Sequence, residues 1–306
     1  MKELNLSDSE VAYISGVKNN HIIVYWVLGN FCTYKCSYCV PILNGGDRPY
    51  HSTEVIQNTL KLLPASTVRF SGGEPTYHPD FEKIVMEKPD HINVEVLSNA
   101  ARPFAFWERI TPYLAGVHLS YHLEYAQLDR FVETAELIYK TYKKPGRVNM
   151  MMVPSKWDEC LNVYNTLRSK GIGVTAKPIM DKWATLSNEY TPEQVNWLKT
   201  SYYDVKFIKV FNSKNEIISE ADPGEIVSKR MNNFLGWTCH VPRHYIQITG
   251  LGDVTDTCCA NGTKLGNIYT GFRLSTEPII CKLNRCVTFC DISGKKSPPY
   301  FTGIIP

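Results

Sequence analysis

The sequence predicts an α/β protein, an open six-unit (β/α) barrel followed by a small α+β module rich in cysteine. Three observations predict it. From Ile22 to Met180, short apolar β-branched runs alternate six times with amphipathic helical stretches, the pattern of a parallel sheet covered by helices. After about Asp181 the rhythm gives way to paired strands and turn residues. Six of the ten cysteines then fall between Cys239 and Cys290, as in a small module stapled by metal.

Strands are expected at Ile22–Leu28, Val68–Phe70, Ile92–Leu97, Val117–Ser120, Val148–Val153 and Val174–Pro178. Helices are expected between them at Thr53–Leu63, Phe81–Glu87, Pro103–Leu114, Tyr125–Tyr142 and Lys156–Lys170. Asp80 stands where an N-cap is wanted and Gly171 where a helix ends. Six units fall short of the eight of a closed barrel, so the barrel is open. Thr191-Pro192-Glu193 starts a further helix with Pro in its first turn. Val205–Phe211 and Glu216–Ser219 flank Asn212-Ser213-Lys214-Asn215, a hairpin signature. A helix near Gly224–Phe234 and a β pair, Tyr245–Thr249 with Asp253–Thr257, complete the chain; the pair turns at Gly250-Leu251-Gly252. The expected division is an N-terminal extension over 1–20, a core over 21–185 and a C-terminal extension over 186–306, its cysteine module at about 236–292.

A chain 43% hydrophobic and 21% charged has ample core. Its net charge of +3, without a dense Lys/Arg run, gives no case for nucleic acid. Ile22–Leu28 is far too short an apolar stretch to span a membrane. Met1–Ser9 carries Glu and Asp and is no secretory signal, which implies a reducing, cytoplasmic setting. There, clustered cysteines are metal ligands or catalytic thiols more often than disulfides. Cys160, alone on its helix, reads as a small hydrophobe.

Cys32, Cys36 and Cys39 follow directly on the first strand. Three thiolates so spaced can reach three irons of a [4Fe–4S] cube, which normally has four cysteine ligands. The loop therefore has a distant fourth ligand or leaves one iron open. Zinc could use the three cysteines plus one of the eight histidines, though none stands in a Cys-x-x-Cys…His-x-x-x-His arrangement, and a redox Cys-x-x-Cys would leave Cys32 unexplained.

Cys-x3-Cys-x2-Cys with Tyr38 before the last cysteine, followed by Ser71-Gly72-Gly73-Glu74-Pro75 at the end of the second strand, resembles the radical S-adenosylmethionine (radical SAM) superfamily. Glycines let a backbone approach a ligand, and a carboxylate answers an ammonium. The resemblance implies a TIM-like partial (β/α)6 barrel over about residues 20–180. It implies that Cys32, Cys36 and Cys39 bind three irons while SAM chelates the fourth through its amine and carboxylate. Gly72, Gly73 and Glu74 would receive the amino group, and Tyr38 would lie near adenine. Ser98 and Asn99 would contact the methionyl or ribose portion, and Ser120 the ribose.

Cys239, the following hairpin, Cys258-Cys259, Leu265-Gly266-Asn267-Ile268 and the closing Cys281, Cys286 and Cys290 resemble the SPASM/twitch extensions of that superfamily. Such an extension holds one or two auxiliary [4Fe–4S] clusters. Six cysteines suffice for only one four-cysteine cube, with Cys239, one of Cys258 and Cys259, Cys286 and Cys290 as the expected ligands and Cys281 as a substitute.

The resemblance also implies the chemistry. A low-potential donor such as flavodoxin or ferredoxin reduces the first cluster, SAM is cleaved to a 5′-deoxyadenosyl radical, and a hydrogen atom is taken from the substrate. Oxidation follows if the auxiliary cluster takes an electron, and epimerisation if a spare thiol, Cys281 or whichever of Cys258 and Cys259 is unligated, returns a hydrogen atom. Tyr121, His122, Asn149 and Lys177, at the C-terminal ends of strands, are the expected substrate contacts; His118, inside its strand, reads as a satisfied core histidine. About twenty residues before the first strand leave no room for a leader-binding domain, which favours a small molecule (sugar, nucleotide or amino-acid derivative) over a ribosomal peptide. The alternatives are a peptide maturase and a non-catalytic iron–sulfur electron carrier.

Overall fold

A computed structural model describes residues 4–16, 21–181, 185–201, 208–259, 262–275, 277–286, 288–303 and 305. After a short strand β1 (Tyr13–Ser15) come β2 (Ile22–Val27), β3 (Ser66–Ser71), β4 (Ile92–Ser98), β5 (Gly116–Tyr121), β6 (Val148–Met152) and β7 (Val174–Pro178). Strands β2 to β7 pair in that order, all parallel. The helices are α1 (Pro41–Asn44), α2 (Thr53–Leu62), α3 (Phe81–Met86), α4 (Phe104–Ile110), α5 (Leu128–Glu136) and α6 (Trp157–Ser169). Each expected strand and helix of the core is present.

The strands sort their side chains by the two-residue period of a pleated backbone. Val24, Trp26, Val68, Phe70, Val96 and Leu119 are completely buried, in one core with Ile56, Ile84, Trp107 and Leu167 of the helices. Residues between them, such as Tyr25, Arg69, Glu95 and His118, are only partly buried and form the inner face. Helix α2 begins at Ser52, whose hydroxyl accepts the Val55 N–H, one of the donors a helix start leaves unpaired.

Two helices differ from expectation. Helix α5 starts at Leu128, not Tyr125, because the N–H groups of Tyr125 and Ala126 both bond the His122 carbonyl in a turn. The helix expected near Gly224–Phe234 spans Pro223–Ser228. Arg230 then adopts φ +56°, and the Met231 N–H bonds the Ile226 carbonyl, which ends the helix as a left-handed cap does.

The C-terminal half contributes to both of the larger sheets. Tyr245–Ile248 pairs in parallel with β2 and continues antiparallel through Asp253–Thr255, Lys264–Asn267 and Gly271–Phe272, giving ten strands in all. The second sheet has the order Ile217–Ala221, Ile208–Phe211, β1, Lys296–Ser297, Thr238–Cys239, Ile279–Ile280. The hairpin of Ile208–Phe211 with Ile217–Ala221 is the one expected, although residues 205–207 of the expected strand lie outside the described residues. Strand β1 lies inside this sheet, and Leu4, Leu6, Val11 and Ile14 share a core with Ile208, Phe234, Cys281 and Cys286. The segment set apart as an N-terminal extension is thus woven into the C-terminal lobe. Among the described residues no helix is long and apolar enough to cross a membrane.

Candidate functional site

Two turns meet at the C-terminal ends of β2 and β3. The loop bearing Cys32, Cys36 and Cys39 leaves β2, and Gly72-Gly73 leaves β3. The Gly73 N–H bonds the Gly29 carbonyl at 3.1 Å and the Glu74 N–H bonds the Phe31 carbonyl at 2.7 Å. Gly72 has φ +132°, and a Cβ on it would stand 2.2 Å from the Gly29 oxygen; one on Gly73 would stand 2.1 Å from the Phe31 oxygen. Both positions therefore require glycine, and what approaches them is the backbone of the cysteine loop.

The three thiols lie together on one loop beside β4. The Cys32 sulfur accepts from the Tyr34 N–H at 3.4 Å and from the Asn99 amide at 3.6 Å, hydrogen bonds of the kind that tune cluster sulfurs. Burial pushes the Cys36 thiol up to about 12 and raises Cys32 and Cys39 as well, so metal must displace their protons. Among the described residues no three His, Cys, Asp or Glu side chains converge as ligands of one ion would. A cube asks for something else, each thiolate on a different iron, and the donor set of this loop fits it.

Glu74 lies entirely inside. Its carboxylate accepts from the Thr76 N–H and hydroxyl, the Ser98 hydroxyl at 2.9 Å and the Asn99 N–H at 2.6 Å. Burial raises its pKa against these donors. Glu74 is thus joined to the end of β4, where Ala100 is held at φ +60°, a conformation costly for a residue with a Cβ. Beside it opens a cavity of about 280 Å³ lined by Thr33, Tyr34, Asn99, Arg102, Tyr125 and Arg130, among others. Asn99 was expected here. Arg102, Arg130 and the two tyrosines were not: a charge on an exposed helix, such as Arg130, reads as solvated surface, and nothing near Arg102, Tyr34 or Tyr125 in the sequence marks a cavity.

The segment after β5 clasps the cysteine loop. Glu124 accepts the Ser37 N–H at 2.9 Å and its hydroxyl at 2.5 Å. Tyr125 stacks on Tyr34 at 5.1 Å, and its hydroxyl donates to the Lys35 carbonyl. Tyr38 and His122 are 2.9 Å apart, hydroxyl to Nδ1. Burial brings His122 down to about 4 and raises Tyr38, so a neutral phenol and a neutral imidazole share this hydrogen bond. The structure moves His122 from the substrate set to this clasp. Tyr121 also needs correction: its ring packs against Phe131 of α5 and its hydroxyl donates to the Ala126 carbonyl. It belongs to the helix-side core, because alternation along β5 turns it away from the inner face.

The inner face is polar. Arg69 donates to Glu95 at 2.8 Å and to the Tyr25 hydroxyl, and His118 reaches Glu95 at 3.3 Å. Burial alone would raise Glu95, but His118 and the Arg69 charge hold it down to about 2. His118 is thus satisfied, as expected. Ser120 pairs in register with Asn149 on this face. Lys177, on β7, is brought down to about 8 by burial. Burial raises Asp222, from the C-terminal lobe, to about 6, against the Gly224 N–H and the charge of Lys177.

Of the C-terminal cysteines, Cys239, Cys281 and Cys286 are buried and Cys258 and Cys259 half-buried. Cys239 and Cys281 lie close enough to act on each other, as do Cys286, Cys259 and Cys239. The side chain of Cys290 lies outside the described residues. Cys281 sits in the apolar core of the second lobe with Leu4 and Ile14. The expectation of a hydrogen donor at the barrel mouth is therefore withdrawn.

The pattern of the radical SAM superfamily matches residues 26–180. No curated protein sequence matches the chain. Among solved structures it is similar to native anSMEcpe with bound AdoMet and Cp18Cys peptide, at 15% identity over 82% of this chain and 78% of that one, with a TM-score of 0.55. It is similar also to Streptococcus suis SuiB bound to precursor peptide SuiA, at 16% identity over 83% and 64% of the two chains, with a TM-score of 0.54. For BtrN in complex with AdoMet and 2-DOIA the identity is 13%, the coverages 81% and 78%, and the TM-score 0.43. At these identities the likeness is one of fold.

Proposed function

The chain belongs to the radical SAM superfamily, whose pattern spans half of its 306 residues, and on that premise we propose that it oxidises a small polar molecule with the help of an auxiliary [4Fe–4S] cluster in its C-terminal, twitch-like lobe. Membership implies a first [4Fe–4S] cluster and SAM. When bound, these supply a 5′-deoxyadenosyl radical that takes a hydrogen atom from the substrate.

One juxtaposition carries the reading: the cysteine loop, locked on the Gly72-Gly73 turn, borders the cavity that holds Asn99 and Arg130. Cys32, Cys36 and Cys39 hold the first cluster. The Gly72-Gly73-Glu74 turn receives SAM's amino group, with the carboxylate acting from inside through Ser98 and Asn99. Asn99 and Arg130 answer SAM's carboxylate, as amide and guanidinium do. Tyr38 flanks adenine, and Ser120 the ribose. The polar inner face, with Arg69, Glu95, Asn149 and Lys177, supports a polar substrate. Lys177 and Asp222, poised on either side of neutrality, are the pair able to hold the substrate's proton.

For the auxiliary cluster, Cys239, Cys259, Cys281 and Cys286 form the ligand set, a choice supported by the nearness of Cys239 to Cys281 and of Cys286 to Cys259 and Cys239. With Cys281 among the ligands, Cys258 is left as the spare thiol an epimerase would need; an auxiliary cluster able to take the substrate radical's electron favours oxidation. Turnover in D2O should leave the product's carbon-bound positions free of deuterium, and one deuterium per turnover would overturn this. Iron and sulfide analysis after anaerobic reconstitution tests the whole reading. About eight irons should fall to about four in a Cys32/Cys36/Cys39→Ala triple variant; a value near four in both proteins would sink it.

A further inference from the structure

We propose that Lys296 is the built-in counter-charge of the auxiliary cluster, a buried cation placed to make that cluster easier to reduce. This rests on the reading that cysteines of the C-terminal lobe hold an iron–sulfur cube.

Lys296 is 1% exposed, one of the largest fully buried side chains of the chain. Burying an ammonium is costly unless an anion or strong dipoles compensate it. Its Nζ donates to the carbonyls of Asp291 and Gly294, the latter at 3.1 Å, and lies 5.3 Å from the Phe234 ring centroid. These are dipoles and a ring face, weak partners for a full charge. The nearby Asp291 carboxylate, which accepts from the Cys258 N–H at 3.2 Å and from the Thr288 hydroxyl, also acts electrostatically on Lys296 and offsets part of its charge.

What else surrounds this ammonium is sulfur. Lys296 is the cross-strand partner of Cys239, and it stands close enough to act electrostatically on both Cys239 and Cys286. Four thiolates bring more negative charge than the cube they hold cancels, and reduction adds one more electron. A fixed cation beside such a group stabilises its reduced form and raises its potential. Asp291, buried in the same place with the opposite sign, acts the other way.

The test uses the full chain carrying Cys32/Cys36/Cys39→Ala, so that the remaining iron signal belongs to the auxiliary cluster. Its midpoint is read by anaerobic redox titration followed by electron paramagnetic resonance. Lys296→Met, which keeps the stem and removes the charge, should shift the midpoint to more negative values, and Lys296→Arg should stay near the parent. Asp291→Asn should shift it to more positive values. An unchanged midpoint in a fully loaded Lys296→Met protein overturns the proposal. If that variant fails to fold, an unchanged midpoint in Asp291→Asn does the same. A parent without iron would instead overturn the underlying reading, and the proposal with it.

Discussion

At the scale of single residues, one added methyl group tests how the cluster site is built. A Cβ at Gly73 would meet the Phe31 oxygen at 2.1 Å, and backbone cannot step aside as a side chain does. Gly73→Ala should leave the barrel folded, at a cost of about 1–3 kcal/mol, yet prevent retention of the first cluster's iron; full iron content in the variant would refute this. Arg130 is exposed but faces the cavity. Losing a charge-assisted hydrogen bond costs about 1.5–3 kcal/mol, so Arg130→Met should weaken SAM binding by calorimetry roughly tenfold to a hundredfold without moving the unfolding midpoint. His122 gives a pH signature. Its folded pKa, near 4, lies below the ordinary value of 6.5, so its contribution is complete above pH 6.5 and lost as pH falls toward 4. The loss is at most about 3 kcal/mol, and urea unfolding at pH 7 and pH 5 should show a smaller difference in His122→Gln. The cysteines and Gly72-Gly73-Glu74 were legible because each set is contiguous and chemically unusual. Arg130, Tyr34 and Glu124 were not, since nothing in their local pattern says that they face a cavity or a loop.

Among elements, the alternation of apolar strands and amphipathic helices in the core was fully readable, because strands buried on one side by helices have little freedom in sequence. The clasp was hidden: it follows β5 as a mixed tetrad, His122-Leu123-Glu124-Tyr125, that looks like the start of a helix. Its partners lie about 85 residues earlier. Glu124→Ala removes both bonds to Ser37. Because these groups are exposed, global stability should change by only about 0.5–2 kcal/mol. Amide exchange should nonetheless quicken across residues 33–40, and chelators should strip iron from the first site faster; exchange unaltered in that loop would refute the clasp.

For the whole molecule, the sequence suggested a core with a tail, whereas the sheets tie the chain's two ends together. Three residues are too few to reveal a strand period, and the partners of β1 lie near residues 210 and 296, beyond the reach of any local pattern. Removing residues 1–16 should therefore leave the barrel with about four irons while the second lobe loses its own, read by iron analysis and limited proteolysis. Retention of the full iron content would show that β1 is dispensable. The same pairing has a consequence in time. Strands β3 to β7 find all their neighbours within residues 22–178, and β2 lacks only Tyr245–Ile248, but Ile14 must wait for Lys296. During synthesis the barrel has most of its partners early, while β1 stays unpaired until Ile208–Phe211 has emerged and keeps one open edge until Lys296 follows. The lobe that closes last is then the one most exposed to misassembly, and a refolding protein should regain the barrel's order before that of the second sheet.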